Sequence, residues 1–537
     1  MQKFKSVCPY KFHRIFKYDE KNIPNLLDNL VFEVFDMTKE SFANFLTEKL
    51  EIPVDLGFAP TTEDEVYKSA WEKIVGNDAQ RFYLYPKNDG LNRMYDANIQ
   101  SSSTSKFPEK LQKYTKKDYS DIKFIMERIK EVGEERDIEC EEYKPEGFSG
   151  DTYMYDIKLS GEVLFEIRPC CPCCHTLLPD MWFSDITKSY IPIALIARKS
   201  GGKTTYMTSL VSNDFTDLLE SMGVNWLVQT AIKGEKQRFK IQTTRFDNLE
   251  RMKKDRLYPN PTYFIMPPVS ISISKLDDNG NAIGRIIVSI FDCPGELFQK
   301  ILNDVATQND LDFLKKMNSY MFLVEPECME GIEYKKSELS DISEDTQNFK
   351  LLSVREQGEF QKQNADKKIS ARDAAAIVKL DENQNSGDEF DIYKVLNSLK
   401  NMLAFDRKAL QHVAYIIVKS DELSKYPEVL KKVDGMSDLL TLKKNTDVFN
   451  INNLEGVSIT VKEFFEKVVF SEEHEKTYMQ LLESIGGKEV SKSWHCVSVA
   501  RPVGEIGKDK ICKFEPVRIA EPFARCVMNE MEKLKLL

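Results

Sequence analysis

The chain has 537 residues, 42% hydrophobic and 30% charged, with 86 Asp+Glu against 75 Lys+Arg for a formal net charge of −11. A chain this long exceeds one ordinary domain of ~100–200 residues, so two or more units or one heavily inserted fold is expected. The acidic balance leaves no electrostatic footprint for general nucleic-acid coating, and the longest apolar runs, such as "IPIALIA", fall far short of the ~20 residues that cross a bilayer.

The first residues, "MQKFKSVCPYKFHRIF", lack the apolar centre of a secretory signal, so a cytoplasmic protein without a membrane span is expected. Four of the eleven cysteines crowd into "CCPCC" at Cys170–Cys174, which suits metal-binding or structural thiols in a reduced compartment better than a disulfide framework.

In chain order, "TTEDEVYKSAWEKIV" opens on a capping box, Thr62 with Glu65, and then sets Val66, Tyr67, Ala70, Trp71 and Ile74 at helical spacing. A linker, "NIQSSSTSKFPEK", follows. "YSDIKFIMERIKEVG" predicts a second helix through Ile122, Ile125, Met126, Ile129 and Val132, with Gly133 as its stop. "TYMYDIKLSGEVLFEIRP" alternates about Ser160-Gly161, the pattern of a β-hairpin that feeds the cysteine cluster.

From residue 186 onward strands and helices alternate. "YIPIALIA" reads as a strand, followed by a glycine-lysine loop and a helix over "TTYMTSLVSNDFTDLLESMG". "PPVSISISKL" and "GRIIVSIFD" form a hairpin through the Asn-Gly of "DDNGNAIG". "SYMFLVEP" and "HVAYIIVKSD" are buried strands, and "SWHCVSVARP" is the last strand. Glu333 to Gly387 is a polar insertion with one helix near "ARDAAAIVKL". Beyond it Ile392, Val395, Leu396, Leu399, Met402 and Leu403 form a helical stripe expected to pack on the sheet.

Chemistry concentrates where the strands end. A polyphosphate needs converging backbone N–H groups, a helix start, a lysine on its β and γ phosphates and a hydroxyl on Mg²⁺. "ARKSGGKTT" supplies them: Ala197, Ser200, Gly201, Gly202 and Thr205 line the loop, Lys203 is the phosphate lysine and Thr204 the metal hydroxyl. Ala197 stands where such loops keep their first glycine, which is tolerable unless φ must be positive. Arg198 and Lys199 lie within the loop and read as a solvated pair, with positive charge supplied in cis as the alternative.

"IIVSIFDCPGELF" places Asp292 at a strand end, followed by Pro294, Gly295 and Glu296. In this D-x-x-G form the aspartate holds Mg²⁺ through water and the Gly295 N–H meets the γ-phosphate. In "YIIVKSDEL", Lys419 and Asp421 match the [N/T]-K-x-D segment whose aspartate accepts two hydrogen bonds from guanine, but Val418 replaces the residue that tethers the loop. "HCVSVARPVG" offers Ser498 and Ala500, where a backbone N–H reads the guanine O6. Each alone has a plain structural alternative, a turn or a charged loop after a strand. Their order at successive strand ends favours one site.

On these residues the region 186–537 resembles the translation-factor-related class of P-loop GTPases. The whole arrangement is similar to the prokaryotic double-GTPase type family, through "CPCCHTLLP" at Cys171–Pro179, "YPNPTYFIMPP" and "PVRIAEPFARCV". The resemblance implies Thr262 as the switch threonine that closes on Mg²⁺. It also puts Glu296 in the place of the water-orienting glutamine, where its charge repels the γ-phosphate and makes hydrolysis slow or dependent on a partner protein. Of two overlapping C-x-x-C registers it favours Cys171 with Cys174 as zinc ligands, alongside Cys8. Lys11 stands where the fourth ligand belongs, with His13 or His175 as stand-ins, so a zinc site and a metal-free β-knuckle both remain open.

The expected fold is α/β: a P-loop GTPase-like sheet flanked by helices over 186–537, with a polar insertion at about 330–387. Before it comes a degenerate zinc-ribbon-like region, about 1–14 plus 160–185, holding an α+β insertion over 15–160. The expected function is Mg²⁺-dependent GTP binding and hydrolysis as a nucleotide-dependent switch for a protein effector. The alternatives are an ATP-binding P-loop NTPase, given Val418, and a non-enzymatic interaction scaffold.

Overall fold

The computed structural model describes residues 3–10, 12, 14–15, 17, 26, 30–35, 39–50, 82–84, 122–143, 154–172, 177–179, 181–197, 201–222, 227–230, 249–256, 268–292, 314–326, 329, 410–441, 453–469, 475–485, 489–506 and 509–536. The expected helices over 61–75, 371–380 and 392–403 lie outside these residues.

Alternating apolar residues in the first third build an antiparallel sheet from β1 (Val31–Phe35), β2 (Phe82–Leu84), β3 (Ile138–Tyr143), β4 (Met154–Leu159) and β5 (Glu162–Cys170), ordered β2-β1-β5-β4-β3. The β4–β5 turn falls at Ser160-Gly161, both at positive φ (52° and 80°), the twist that closes a two-residue hairpin. One sheet face packs Phe32, Val34, Ile157, Phe165 and Ile167 against α1 (Lys39–Asn44) and α2 (Ile122–Arg136) in one buried core. Gly133 does not stop α2, which runs on to Arg136. A Cβ at Gly133 would lie 2.5 Å from the Ile138 carbonyl oxygen, so the glycine admits the incoming strand β3 against the helix.

Two knuckle-like turns complete this core. A bridge pairs Val7 with Arg14 around Cys8, and another pairs Cys170 with Leu177 around Cys171. Trp182 Nε1 donates to the Lys5 carbonyl at 3.2 Å, joining the first turn to the segment after the second.

The second sheet comprises β6 (Thr187–Ile196), β7 (Leu227–Thr230), β8 (Val269–Leu276), β9 (Ala282–Asp292), β10 (Ser319–Val324), β11 (His412–Ile417) and β12 (Ser491–Cys496), ordered β12-β11-β10-β6-β9-β8-β7. From β12 to β9 the strands are parallel; β8 and β7 add an antiparallel edge. The helices are α3 (Lys203–Ser209), α4 (Asn213–Ser221), α5 (Pro427–Leu430), α6 (Met436–Thr441), α7 (Leu454–Phe464), α8 (Glu475–Ser484) and α9 (Ala520–Lys533). The chain is thus mixed α/β, with a mixed parallel and antiparallel sheet flanked by helices.

Both faces of the central strands are covered, which is why their sequences are near-continuous apolar runs. Ala194, Ile196, Phe322, Tyr415 and Ile417 face the core with α5, α6 and α7, while Ile193, Leu195, Leu323 and Ile416 face the core with α3, α4 and α9. Tyr415 stacks on Phe322 with centroids 5.6 Å apart, an arrangement that contributes about 0.5–1.5 kcal/mol beyond its burial. Near β6 and β9, Ile287 belongs to the core of the N-terminal sheet, and Tyr190 packs against that core and donates its hydroxyl to the Pro9 carbonyl.

Two expected elements divide. The helix after the glycine-lysine loop breaks into α3 and α4 at Ser212, whose hydroxyl bonds back to the Ser209 carbonyl and caps the Phe215 N–H at 3.3 Å. The expected last strand ends at Cys496, and Ser498 starts a hairpin of β13 (Ser498–Ile506) and β14 (Asp509–Val517). No helix among the described residues is long and apolar enough to cross a membrane.

A buried polar seam joins α9 to the sheet. His412 Nε2 and His495 Nε2 lie 2.9 and 2.7 Å from the Ser493 hydroxyl, His495 Nδ1 lies 3.9 Å from Glu521, and Arg518 pairs with Glu521 at 2.6 Å. Burial lowers both histidine pKa values, with Glu521 partly opposing this at His495, so both rings are neutral in the fold. The unfolded chain therefore binds more protons below its ordinary histidine pKa near ~6.5, so this contribution is complete above that pH and is lost as pH falls through the lowered folded values. Thermal unfolding at pH values between about 7.5 and 5 should show a falling midpoint, with a slope of up to about 1.4 kcal/mol per pH unit for each histidine. A flat profile would mean that the two rings take up protons without unfolding.

Candidate functional site

β6 is where the winding of the parallel strands changes direction: β9 lies on one side and β10 on the other. Crevices at such switch points, outside the carboxyl ends of the strands, are where ligands of open α/β sheets bind. Registers Leu195↔Asp292, Ile196↔Phe322, Val324↔Ile417 and Ile417↔Cys496 bring the strand ends to one edge.

At that edge Ala197 leaves β6 buried in the core and without positive φ, so its methyl group is accommodated where a glycine was the expected residue. Gly202 sits at φ 74°, directly before α3, and among the described residues only the Val418 side chain, at 3.9 Å, lies close to where its Cβ would be. Backbone conformation, rather than space, therefore selects glycine there. Lys203 opens α3, is only 9% exposed, and folds back to donate from Nζ to the Ala197 carbonyl at 3.0 Å. The lysine thus links the two ends of the loop. Thr204 and Thr205 follow in the first turn of α3, half-buried. The expected helix dipole comes only from seven residues, because α3 stops at Ser209. Tyr206 Oη donates to the Ile519 carbonyl at 2.9 Å, tying α3 to the segment before α9.

Asp292 ends β9, half-buried, with its Oδ1 shielded from solvent. On the other flank Val418 is buried, and its N–H is held by the β10 carbonyl of Val324 at 2.9 Å. Lys419 takes the left-handed conformation (φ 51°), uncommon for a side-chain-bearing residue and a mark of a constrained segment. Its ammonium pairs with Glu325, a buried carboxylate just beyond β10. Ser420 N–H donates to the Val497 carbonyl at 3.1 Å, and Ser498 Oγ donates to Asp421 Oδ1 at 2.6 Å. Ala500 is buried in β13 opposite Phe514.

The structure therefore brings Lys419, Asp421 and Ser498 together and places Ala197, Gly201, Gly202, Lys203, Thr204, Thr205 and Asp292 at the same sheet edge. Ser200, Thr262, Gly295, Glu296 and Cys174 lie outside the described residues. Glu325 was not among the expected residues; its signal is an acid closing the apolar run "SYMFLVE". Chemically, this edge offers a lysine at a helix start for an anion, a hydroxyl and a carboxylate as hard oxygen donors for a divalent cation, and a carboxylate to accept hydrogen bonds from a base.

Of the expected zinc ligands, Cys8 and Cys171 share one buried core, and the Tyr10 N–H donates to Cys8 Sγ at 3.4 Å. No group of three metal-ligating side chains occurs among the described residues. No protein-family model matches the chain, and no curated protein matches it.

Proposed function

We propose that the seven-stranded sheet is a P-loop GTPase domain, and that the chain binds GTP with Mg²⁺ and hydrolyses it as a nucleotide-dependent switch. The convergence of the Gly202–Lys203 loop, Asp292 and the Asp421–Ser498 pair on the edge beside β6 is the observation that carries this reading. Lys203 exchanges the Ala197 carbonyl for the β and γ phosphate oxygens. Thr204 and Asp292 are the oxygen donors suited to Mg²⁺, which supplies charge neutralisation of the phosphates when bound. Asp421 is an acceptor-only side chain, complementary to guanine, whose edge presents two donors. Adenine would set a ring acceptor against it.

Thr262 and the Asp292–Glu296 segment are assigned to the loops that close on the γ-phosphate, with Glu296 holding the attacking water. Its negative charge beside the phosphate makes turnover slow until a partner protein contributes. The test is a panel of nucleotides with and without Mg²⁺: fluorescent GTP should bind and be displaced by unlabelled GTP but not by ATP. Displacement by ATP would favour the adenine reading, and binding of neither would favour a non-enzymatic scaffold.

The two knuckles around Cys8 and Cys171, whose thiols share one buried core, support a zinc-ribbon-like reading. A metal count on the same sample should give about one zinc per chain. A metal-free protein of unchanged thermal stability would leave the knuckles as packing alone.

A further inference from the structure

We infer that Glu325 is the positioning residue of the base-reading segment, holding Lys419 from the neighbouring strand where the side chain at position 418 cannot. The inference rests on the nucleotide reading of the same edge. Val418 has no polar atom with which to anchor the loop; its side chain is 4% exposed and belongs to the apolar core. The segment it opens is nevertheless tied to its neighbours. Its backbone is tied at two points, Val418 N–H to Val324 and Ser420 N–H to Val497. Its side chains are tied at two more, Asp421 to Ser498 and Lys419 to Glu325.

Glu325 carries the charge of that arrangement. Its side chain is 1% exposed, whereas that of Lys419 is 33% exposed. The carboxylate is thus the fixed partner and the lysine the one drawn to it. A buried carboxylate requires a cation or strong donors, so Lys419 is held even though its own backbone sits in the left-handed region. Between the Lys419–Glu325 and Asp421–Ser498 contacts, residues 419–421 are clamped from β10 on one side and from the β12–β13 junction on the other. The lysine stem is kept beside the base and the Asp421 carboxylate is aimed at it.

The test uses the full chain. Glu325→Gln should weaken Mg²⁺-GTP binding ~10-fold or more, mainly through faster release. Binding of Mg²⁺-tripolyphosphate, which has no base, should remain as in the parent protein. Lys419→Met should give the same selective loss, and adding Glu325→Gln to it should cause no further loss. If Glu325→Gln fails to fold, Lys419→Met carries the test: loss of GTP binding with tripolyphosphate binding retained supports the role, and equal loss of both overturns it. Unchanged GTP affinity in Glu325→Gln, or losses that add in the double variant, would overturn the inference while Lys203→Ala still abolished binding. Should Lys203→Ala bind GTP like the parent protein, the nucleotide reading fails and the role assigned to Glu325 fails with it.

Discussion

Replacing Lys203 by alanine is expected to abolish Mg²⁺-dependent GTP binding at micromolar concentrations. The ammonium lies 3.0 Å from the Ala197 carbonyl on a residue only 9% exposed, and its contact with phosphate would be charge-assisted and largely shielded from water. Removing one member of such a contact costs about 2–5 kcal/mol, roughly 30-fold or more in Kd. Without nucleotide the variant loses the hydrogen bond to the Ala197 carbonyl, about 1 kcal/mol for that contact, which is less than the loss expected in GTP binding. Isothermal titration with GTP against unfolding of the empty protein separates the two effects. Parent-like affinity in the variant would sink the proposed function.

Asp421→Asn should change which base is preferred. Ser498 Oγ donates to Asp421 Oδ1, and in the variant that hydroxyl still needs an acceptor. It therefore orients the new amide with its oxygen toward Ser498 and its NH₂ toward the base. A donor facing guanine's own donors loses about 1–3 kcal/mol of recognition, while xanthine, with an oxygen at that edge, recovers it. Titration of GTP and XTP should show the preference crossing over. Equal losses for both bases would place Asp421 outside the base contact.

The sheet could be read from the sequence because its strands are buried on both faces, so "YIPIALIA", "SYMFLV" and "HVAYIIV" stand out as apolar runs. Chain breaks inside apolar stretches were hidden for the same reason. Val497 and Val499 make "SWHCVSVARP" look like one strand, yet the pairing with β11 stops at Cys496, and Val497, its N–H still on the Ile417 carbonyl, gives its own carbonyl to Ser420. The α3–α4 break was likewise masked by continuous helical spacing; only the capping geometry of Ser212 reveals it. Ala197 posed a question of backbone sign that no pattern answers, and the structure resolves it with negative φ. Glu325 is separated from Lys419 by 94 positions, so their pairing has no local signal until β10 and β11 are known to be neighbours.

β9 is a wall common to two interiors. Ile286, Val288 and Ile290 face the core beneath α9, Ile287 faces the N-terminal core, and Phe291 stacks on Phe12 of the first knuckle with centroids 5.8 Å apart. Because side chains alternate with a period of two, sliding this strand by a single residue would exchange the contents of both interiors at once. A one-residue register slip is therefore excluded. The strand that ends at Asp292 thus also holds the first knuckle, through the Phe291–Phe12 stack.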